Sequence, residues 1–133
     1  MTQNHKFPLR IYFEDTDAQG VVYYANYLRF FERARTEYLR EIGYGQQSLI
    51  EEGSIFVVRK LDIKFRKPAI LDNEIIIETK LIKLGKVSFD FSQKVFLDST
   101  LLVEATIGCG CLSFESFSSA SRVRLLCSAR KFH

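Results

Sequence analysis

Between positions 24 and 42 the apolar residues Tyr24, Tyr27, Leu28, Phe31, Ala34, Tyr38, Leu39 and Ile42 recur at spacings of three and four. That period marks one face of an α-helix. The opposite face carries Arg29, Arg33, Glu37, Arg40 and Glu41, with Arg33 and Glu37 spaced as an i,i+4 pair. Gly43 supplies a C-terminal stop. An apolar stripe of about 18 residues must be buried against another element, and the rest of the chain offers strands. Residues 6–14 alternate Phe7, Leu9, Ile11 and Phe13 with polar or amphipathic partners. Residues 55–66 alternate in their second half, Leu61, Ile63 and Phe65 inward against Lys60, Asp62, Lys64 and Arg66, and Pro68 ends the run. Residues 74–84, a run holding Val87, Phe89, Phe91 and Val95, and residues 101–114 read as three more strands. The last places Val103, Ala105, Ile107, Cys109 and Cys111 on one face. Most of the connections are turn-length, so neighbouring strands should be antiparallel. The expected fold is α+β, an antiparallel β-sheet wrapped around one long central α-helix, with a short helical turn near residues 46–52.

A chain of 133 residues with 47% hydrophobic content is sized for one domain with one core. Its 12 Phe and 6 Tyr exclude a disordered chain. No run approaches the roughly 20 apolar residues of a membrane span, and residues 1–10 lack the apolar core of a signal peptide. A soluble, cytoplasmic protein is expected. The net charge of +3 is carried by residues 116–133, which hold Arg122, Arg124, Arg130 and Lys131 and no acid, leaving the remainder at −1. Neither a basic face nor a nucleic-acid module is visible, so nucleic acid is not an expected partner. Residues 1–115 form the expected domain. Residues 116–133, with five serines and no clear period, read as a poorly ordered tail with a short turn around residues 124–126. Cys109, Cys111 and Cys127 lack the pairing and the histidine partners of a disulfide framework or zinc site, since His5 and His133 stand at the two ends. They read as core thiols, and no metal is expected.

The densest polar group is Glu14-Asp15-Thr16-Asp17-Ala18-Gln19-Gly20, between a strand end and the helix start. Three carboxylates in four residues repel one another, and the plain reading is a solvated acidic loop at the positive helix end. The next residues, Val21-Val22-Tyr23-Tyr24, are bulky and bring no Ser, Thr or Asp cap. A carboxylate, uncapped backbone N–H groups and apolar walls together make a candidate site.

The run Tyr12-Phe13-Glu14-Asp15-Thr16-Asp17-Ala18-Gln19-Gly20-Val21-Val22-Tyr23-Tyr24-Ala25-Asn26-Tyr27-Leu28, followed by Phe31-Glu32-Arg33-Ala34-Arg35, resembles the signature of the YbgC and 4-hydroxybenzoyl-CoA thioesterase family. Phe56-Val57-Val58-Arg59 and Phe65-Arg66-Lys67-Pro68-Ala69 are similar to that family as well. The resemblance implies the hotdog fold, in which an antiparallel sheet wraps a long helix, and hydrolysis of acyl-CoA to a free acid and a thiol without a cofactor. It implies sites shared between subunits, hence a homodimer or tetramer. It also leaves acyl carrier protein, the Tol-Pal envelope system and peripheral membrane contact as partners to test.

Carried over residue by residue, the catalytic carboxylate of the family matches Asp17, as nucleophile or as base for a water. The backbone N–H of Tyr24 would polarise the thioester oxygen. Many bacterial members carry His where this chain has Tyr24, and a phenol is no base at neutral pH, so the Tyr24 side chain is assigned to the acyl pocket or to hydrogen bonding. Tyr23 and Asn26 are assigned to substrate binding. Glu32 reads either as a partner of Arg29, Arg35 or Thr36 on the helix or as a second site carboxylate. Lys60, Lys64 and Arg66 share one strand face, which is either an ordinary solvated face or a surface for coenzyme A phosphates or a carrier protein. A hotdog dehydratase would need a site histidine and is rejected. A hotdog module that binds acyl groups without hydrolysing them is the competing class.

Overall fold

Six regular elements and one short turn make up the computed structural model, which describes residues 4–43, 54–85 and 88–113. In chain order they are β1 (His5–Arg10), a single 3-10 turn (Phe13–Asp15), α1 (Asn26–Glu41), β2 (Ser54–Phe65), β3 (Glu74–Leu84), β4 (Ser88–Leu97) and β5 (Thr100–Ser113). The expected order of strand, long helix and four strands holds. The turn expected at residues 46–52, the tail from residue 116 and Cys127 lie outside the described residues.

All pairings are antiparallel and the spatial order is β1-β3-β4-β5-β2. The two strands that flank α1 in sequence therefore stand at opposite edges of the sheet. The chain must cross from one edge to the other, and α1 makes that crossing. The β4–β5 connection is two residues long, with Asp98 at φ 55, a left-handed conformation that Asp tolerates. Gly43 at φ 98 stops α1, as its position predicts.

The inner face of the sheet supplies Ile75, Ile77, Phe89, Phe91, Val95, Val103, Ala105, Ile107 and Cys109, all buried. From the helix, Tyr27, Phe30, Phe31, Ala34, Tyr38 and Leu39 meet them. Burying one Phe or Ile side chain is worth about 1.5–3 kcal/mol, so this two-sided layer dominates the stability. Cys109 and Cys111 are both buried on the inner face of β5, the core position expected for them.

Four sequence expectations are corrected. β1 stops at Arg10, and one further backbone pairing follows, Ile11 N–H donating to the Asn73 carbonyl and Asp72 N–H to the Ile11 carbonyl, both at 2.9 Å, before the chain leaves the sheet. The chain then curls through the 3-10 turn, and Phe13 is 80% exposed rather than inward. The helix begins at Asn26, so Tyr24 precedes it and is 63% exposed, while the unassigned Phe30 is fully buried. The expected Arg33–Glu37 pair gives way to Arg40–Glu37 at 2.5 Å. Finally, Leu61 and Phe65 do face the helix side, opposite Ile107 and Val103, but Phe65 stays 50% exposed. The helix covers this edge strand only in part, its Tyr27 ring lying 5.8 Å from that of Phe65. A register shift between Val58 and Lys60 leaves Arg59 unpaired, which explains why only the second half of β2 alternates cleanly.

Candidate active site

The acidic loop is a built turn. Asp17 N–H donates to the Val21 carbonyl at 2.9 Å and Gly20 N–H donates back to the Asp17 carbonyl at 2.9 Å, closing a tight hairpin braced by the Thr16–Val22 bridge. Gly20 at φ 85 meets the left-handed requirement of that turn, which a Cβ would oppose. Asp17 Oδ1 accepts the Gln19 N–H at 2.9 Å, fixing the rotamer of the half-buried side chain. Its Oδ2 has no hydrogen-bond partner among the described residues. Glu14 is exposed on the preceding 3-10 turn. Asp15 is 6% exposed and turned inward, where its Oδ2 accepts the Tyr12 N–H at 2.8 Å. The three carboxylates thus fall into three environments, and Asp17 alone combines partial burial with an unengaged oxygen.

The same loop leads into α1, whose N-cap position is held by Ala25 with no side-chain cap. Tyr23 N–H is taken by the Asp15 carbonyl at 3.1 Å. The N–H groups of Tyr24 and Ala25 have no acceptor among the described residues, so the positive end of a 16-residue helix presents open donors. Rings of Tyr23 and Tyr24 lie 5.0 Å apart, and Tyr24 meets Phe65 edge-on at 6.2 Å. Beside them opens a cleft of about 260 Å³ walled by Val22, Tyr24, Tyr27, Phe65 and Pro68, with Arg66 and Lys67 at its rim. It is mostly apolar and adjoins the open helix end, as an acyl or pantetheine arm requires.

The structure therefore places Tyr24 and Arg66 on one cleft, with Tyr23 against the Tyr24 ring, while Asp17 is on the loop whose Val22 lines that cleft and is not itself one of its walls. Asn26 is on the first turn of α1, its Nδ2 donating to the Asp15 carbonyl at 2.8 Å. Glu32 is exposed further along α1, on the lip of a separate pocket of about 190 Å³ between the helix and the strands of Phe56, Phe91 and Cys109. Lys60 and Lys64 lie on the sheet face away from the helix. There Lys64 ends a row of alternating charges, Lys6, Glu78, Lys94, Glu104 and Lys64, that crosses all five strands. Arg66 closes onto Glu104 as well. Among the described residues there is no cluster of His, Cys, Asp or Glu fit to hold a metal.

Residues 19–104 match the Thioesterase superfamily. The chain belongs to that superfamily. The acyl-CoA thioesterase YbgC of Haemophilus influenzae is 45% identical over 107 residues, 80% of this chain and 79% of that one. The acyl-CoA thioester hydrolase YbgC of Escherichia coli is 45% identical over 103 residues, 77% of each chain. Among solved structures, a probable thioesterase from Bartonella henselae superposes with a TM-score of 0.82 at 38% identity, covering 85% of this chain and 94% of that one. The hotdog expectation is met, the five-stranded antiparallel sheet and single long helix being those of the superfamily.

Within this superfamily fold, one polar assembly went unread in the sequence. Gln93 is fully buried on the inner face of β4. Its Nε2 donates to the Phe31 carbonyl at 3.0 Å and to Thr79 Oγ1 at 2.9 Å, and its Oε1 accepts Arg35 Nη1 at 2.9 Å. Burial depresses the Arg35 guanidinium below its usual value, opposed by the charges of Cys109 and Glu32. Arg35 thereby forms the polar wall of the Glu32 pocket. The period of β4 carries the signal, because Gln93 falls between Phe91 and Val95 on the inward parity.

Among the described residues no helix is long and apolar enough to cross a membrane.

Proposed function

We propose that this chain is an acyl-CoA thioesterase in which Asp17 is the reacting carboxylate. The observation that carries the assignment is the fixed Asp17 rotamer with one free oxygen, on the loop that runs into the uncapped start of α1. The thioester carbonyl oxygen is taken by the Tyr24 N–H, where the helix end stabilises the charge that grows on it in the transition state. Two routes use the same carboxylate. In one, Asp17 Oδ2 adds to the carbonyl carbon, the C–S bond breaks, and water then hydrolyses the resulting mixed anhydride. In the other, Asp17 takes a proton from water as the water adds to the carbon. Either way the products are a carboxylic acid and coenzyme A, whose thiolate leaves readily because a thiol titrates near about 8.5.

Tyr23 and Tyr24 wall the acyl arm, and Arg66 at the cleft rim meets the phosphates of coenzyme A. Lys60 and Lys64 are outer-face contacts for the same nucleotide or for an acyl carrier protein. The protein works in the cytoplasm as a homodimer or a pair of dimers. β2 is an edge strand with Val58, Leu61 and Phe65 exposed on its helix side, and Leu28 is exposed on α1. Such a strand invites pairing with a second copy.

The test is release of free thiol from a panel of acyl-CoAs, from acetyl to palmitoyl and benzoyl. Turnover of at least one at kcat/KM above about 10⁴ M⁻¹s⁻¹, the ordinary range for enzymes, is the expected result. Binding of acyl-CoA without thiol release would make the chain an acyl-binding module instead.

A further inference from the structure

Asp15, Asn26 and Arg29 form a closed polar circuit. Asp15 is buried where its neighbours Glu14 and Asp17 are not, and a buried carboxylate must be satisfied from within the protein. Its Oδ2 takes the Tyr12 N–H, and its Oδ1 lies 3.9 Å from Arg29 Nη2. The backbone carbonyl of the same residue receives two donors, Tyr23 N–H at 3.1 Å and Asn26 Nδ2 at 2.8 Å. The other end of the Asn26 carboxamide, Oδ1, accepts Arg29 Nη2 at 2.8 Å. Asn26 and Arg29 are i,i+3 neighbours on the first turn of α1 and so share one helix face.

The position of this circuit matters more than its energy. One end is anchored two residues before Asp17. The other is anchored at the helix residue that follows the open N–H groups of Tyr24 and Ala25. A helix start without a side-chain cap has few other ties to the loop in front of it. The circuit lies outside the layer of apolar side chains that holds α1 on the sheet, so it can be cut without touching the core.

We infer that Asp15, Asn26 and Arg29 are positioning residues, which hold the Asp17 turn in register with the donors at the start of α1. The inference rests on the reading of Asp17 as the reacting carboxylate. It assigns Asn26 to alignment rather than to substrate contact, since both ends of its carboxamide are engaged within the chain. Misalignment of reacting groups by about 1 Å costs on the order of 100-fold in rate, while binding of the acyl-CoA is left in place.

The experiment compares Asn26→Ala, Asn26→Asp, Asp15→Ala and Asp15→Asn with the parent in steady-state hydrolysis of the best acyl-CoA. Melting temperatures and binding of a non-hydrolysable thioether analogue are measured alongside. Asn26→Ala is expected to lower kcat about 10- to 100-fold with KM and analogue binding within about threefold of the parent. Asn26→Asp keeps the acceptor for Arg29 but loses the donor to the Asp15 carbonyl, and is expected to lower kcat likewise. Asp15→Asn still accepts the Tyr12 N–H and is expected to recover most of the activity that Asp15→Ala loses. In an Asp17→Asn background, Asn26→Ala is expected to cost nothing further, because it acts through Asp17. A rise in KM at unchanged kcat for Asn26→Ala would make Asn26 a substrate contact and overturn the inference, as would an unchanged kcat in both Asn26 variants. Full activity of Asp17→Asn alone would instead remove the underlying assignment, so the two failures are distinguishable.

Discussion

Gln93→Leu replaces a fully buried carboxamide by an apolar side chain of similar size, so the expected loss comes from hydrogen bonds rather than from a cavity. Three are removed, to Arg35 Nη1, to the Phe31 carbonyl and to Thr79 Oγ1. The Phe31 carbonyl retains its helical partner, and the Thr79 hydroxyl can rotate, so neither is stranded outright. Arg35 fares worst. Its guanidinium is already disfavoured by burial, and among the described residues it has no ion pair within 4 Å to replace the lost acceptor. Arg35 is part-buried at a pocket wall, so leaving its donor unsatisfied costs about 1–3 kcal/mol, which in a chain of this size lowers the melting temperature by about 4–15 °C. The assay is urea and thermal unfolding of Gln93→Leu, Arg35→Met and the double variant. Removing both polar partners is far less costly than removing one. The double variant should therefore be more stable than the sum of the single losses predicts by at least about 1.5 kcal/mol. Additive losses, or a Gln93→Leu protein as stable as the parent, would refute the view that Gln93 exists to satisfy Arg35.

Other expectations follow from the same geometry. Burial, opposed by Arg35 and reinforced by Asp90, pushes the Cys109 thiol up to about 11 from an ordinary 9.0. Between these values the unfolded chain holds fewer protons than the folded one, so stability falls as pH rises from 9 toward 11, by up to about 2–3 kcal/mol. Urea midpoints across pH 8–11 should decline more steeply for the parent than for Cys109→Ala, and equal slopes would contradict the assignment. Phe65→Asp places a charge on the exposed inner side of β2. Sedimentation should show the parent as a dimer or larger and this variant shifted toward monomer with lower turnover, whereas an active parent monomer would remove the shared-site part of the proposal. Single-turnover hydrolysis in ¹⁸O-water tests the anhydride route: label enters the Asp17 carboxylate when water attacks the Asp17 carbonyl of the anhydride, and never when water adds directly to the thioester.

Much of this architecture is legible in the sequence, because each element carries a clean period. The helical stripe of Tyr27, Phe31, Ala34, Tyr38 and Leu39 and the alternation of Val103 to Cys111 depend only on which face is buried, and both hold in the fold, whereas Leu28, expected on the same stripe, is exposed. What escapes is decided by tertiary contacts that leave no local trace. Phe13 continues the alternation of β1, yet it turns outward because the chain leaves the sheet after Ile11 and enters the 3-10 turn. Phe65 is correct in parity but half exposed, since burial at an edge strand depends on how far one helix reaches. Asp15 and Asp17 are equivalent by composition, and only the tight turn closed by Gly20 sends one inward and leaves the other with a free oxygen. The motif resemblance, not periodicity, singles out Asp17 in advance.

The most direct measurement of the central claim is therefore turnover of Asp17→Asn against its neighbour Glu14→Gln, with binding of the thioether analogue as control. Asparagine keeps the size of the side chain and an acceptor for Gln19 N–H but removes the charge and the basicity. Asp17→Asn is expected to fold, to bind the analogue as the parent does, and to lose about 100-fold or more in kcat, the scale of a positioned acid–base group, while Glu14→Gln loses far less. Thioester hydrolysis by Asp17→Asn at near the parental rate would contradict the account, and Glu32 would then be the carboxylate to test.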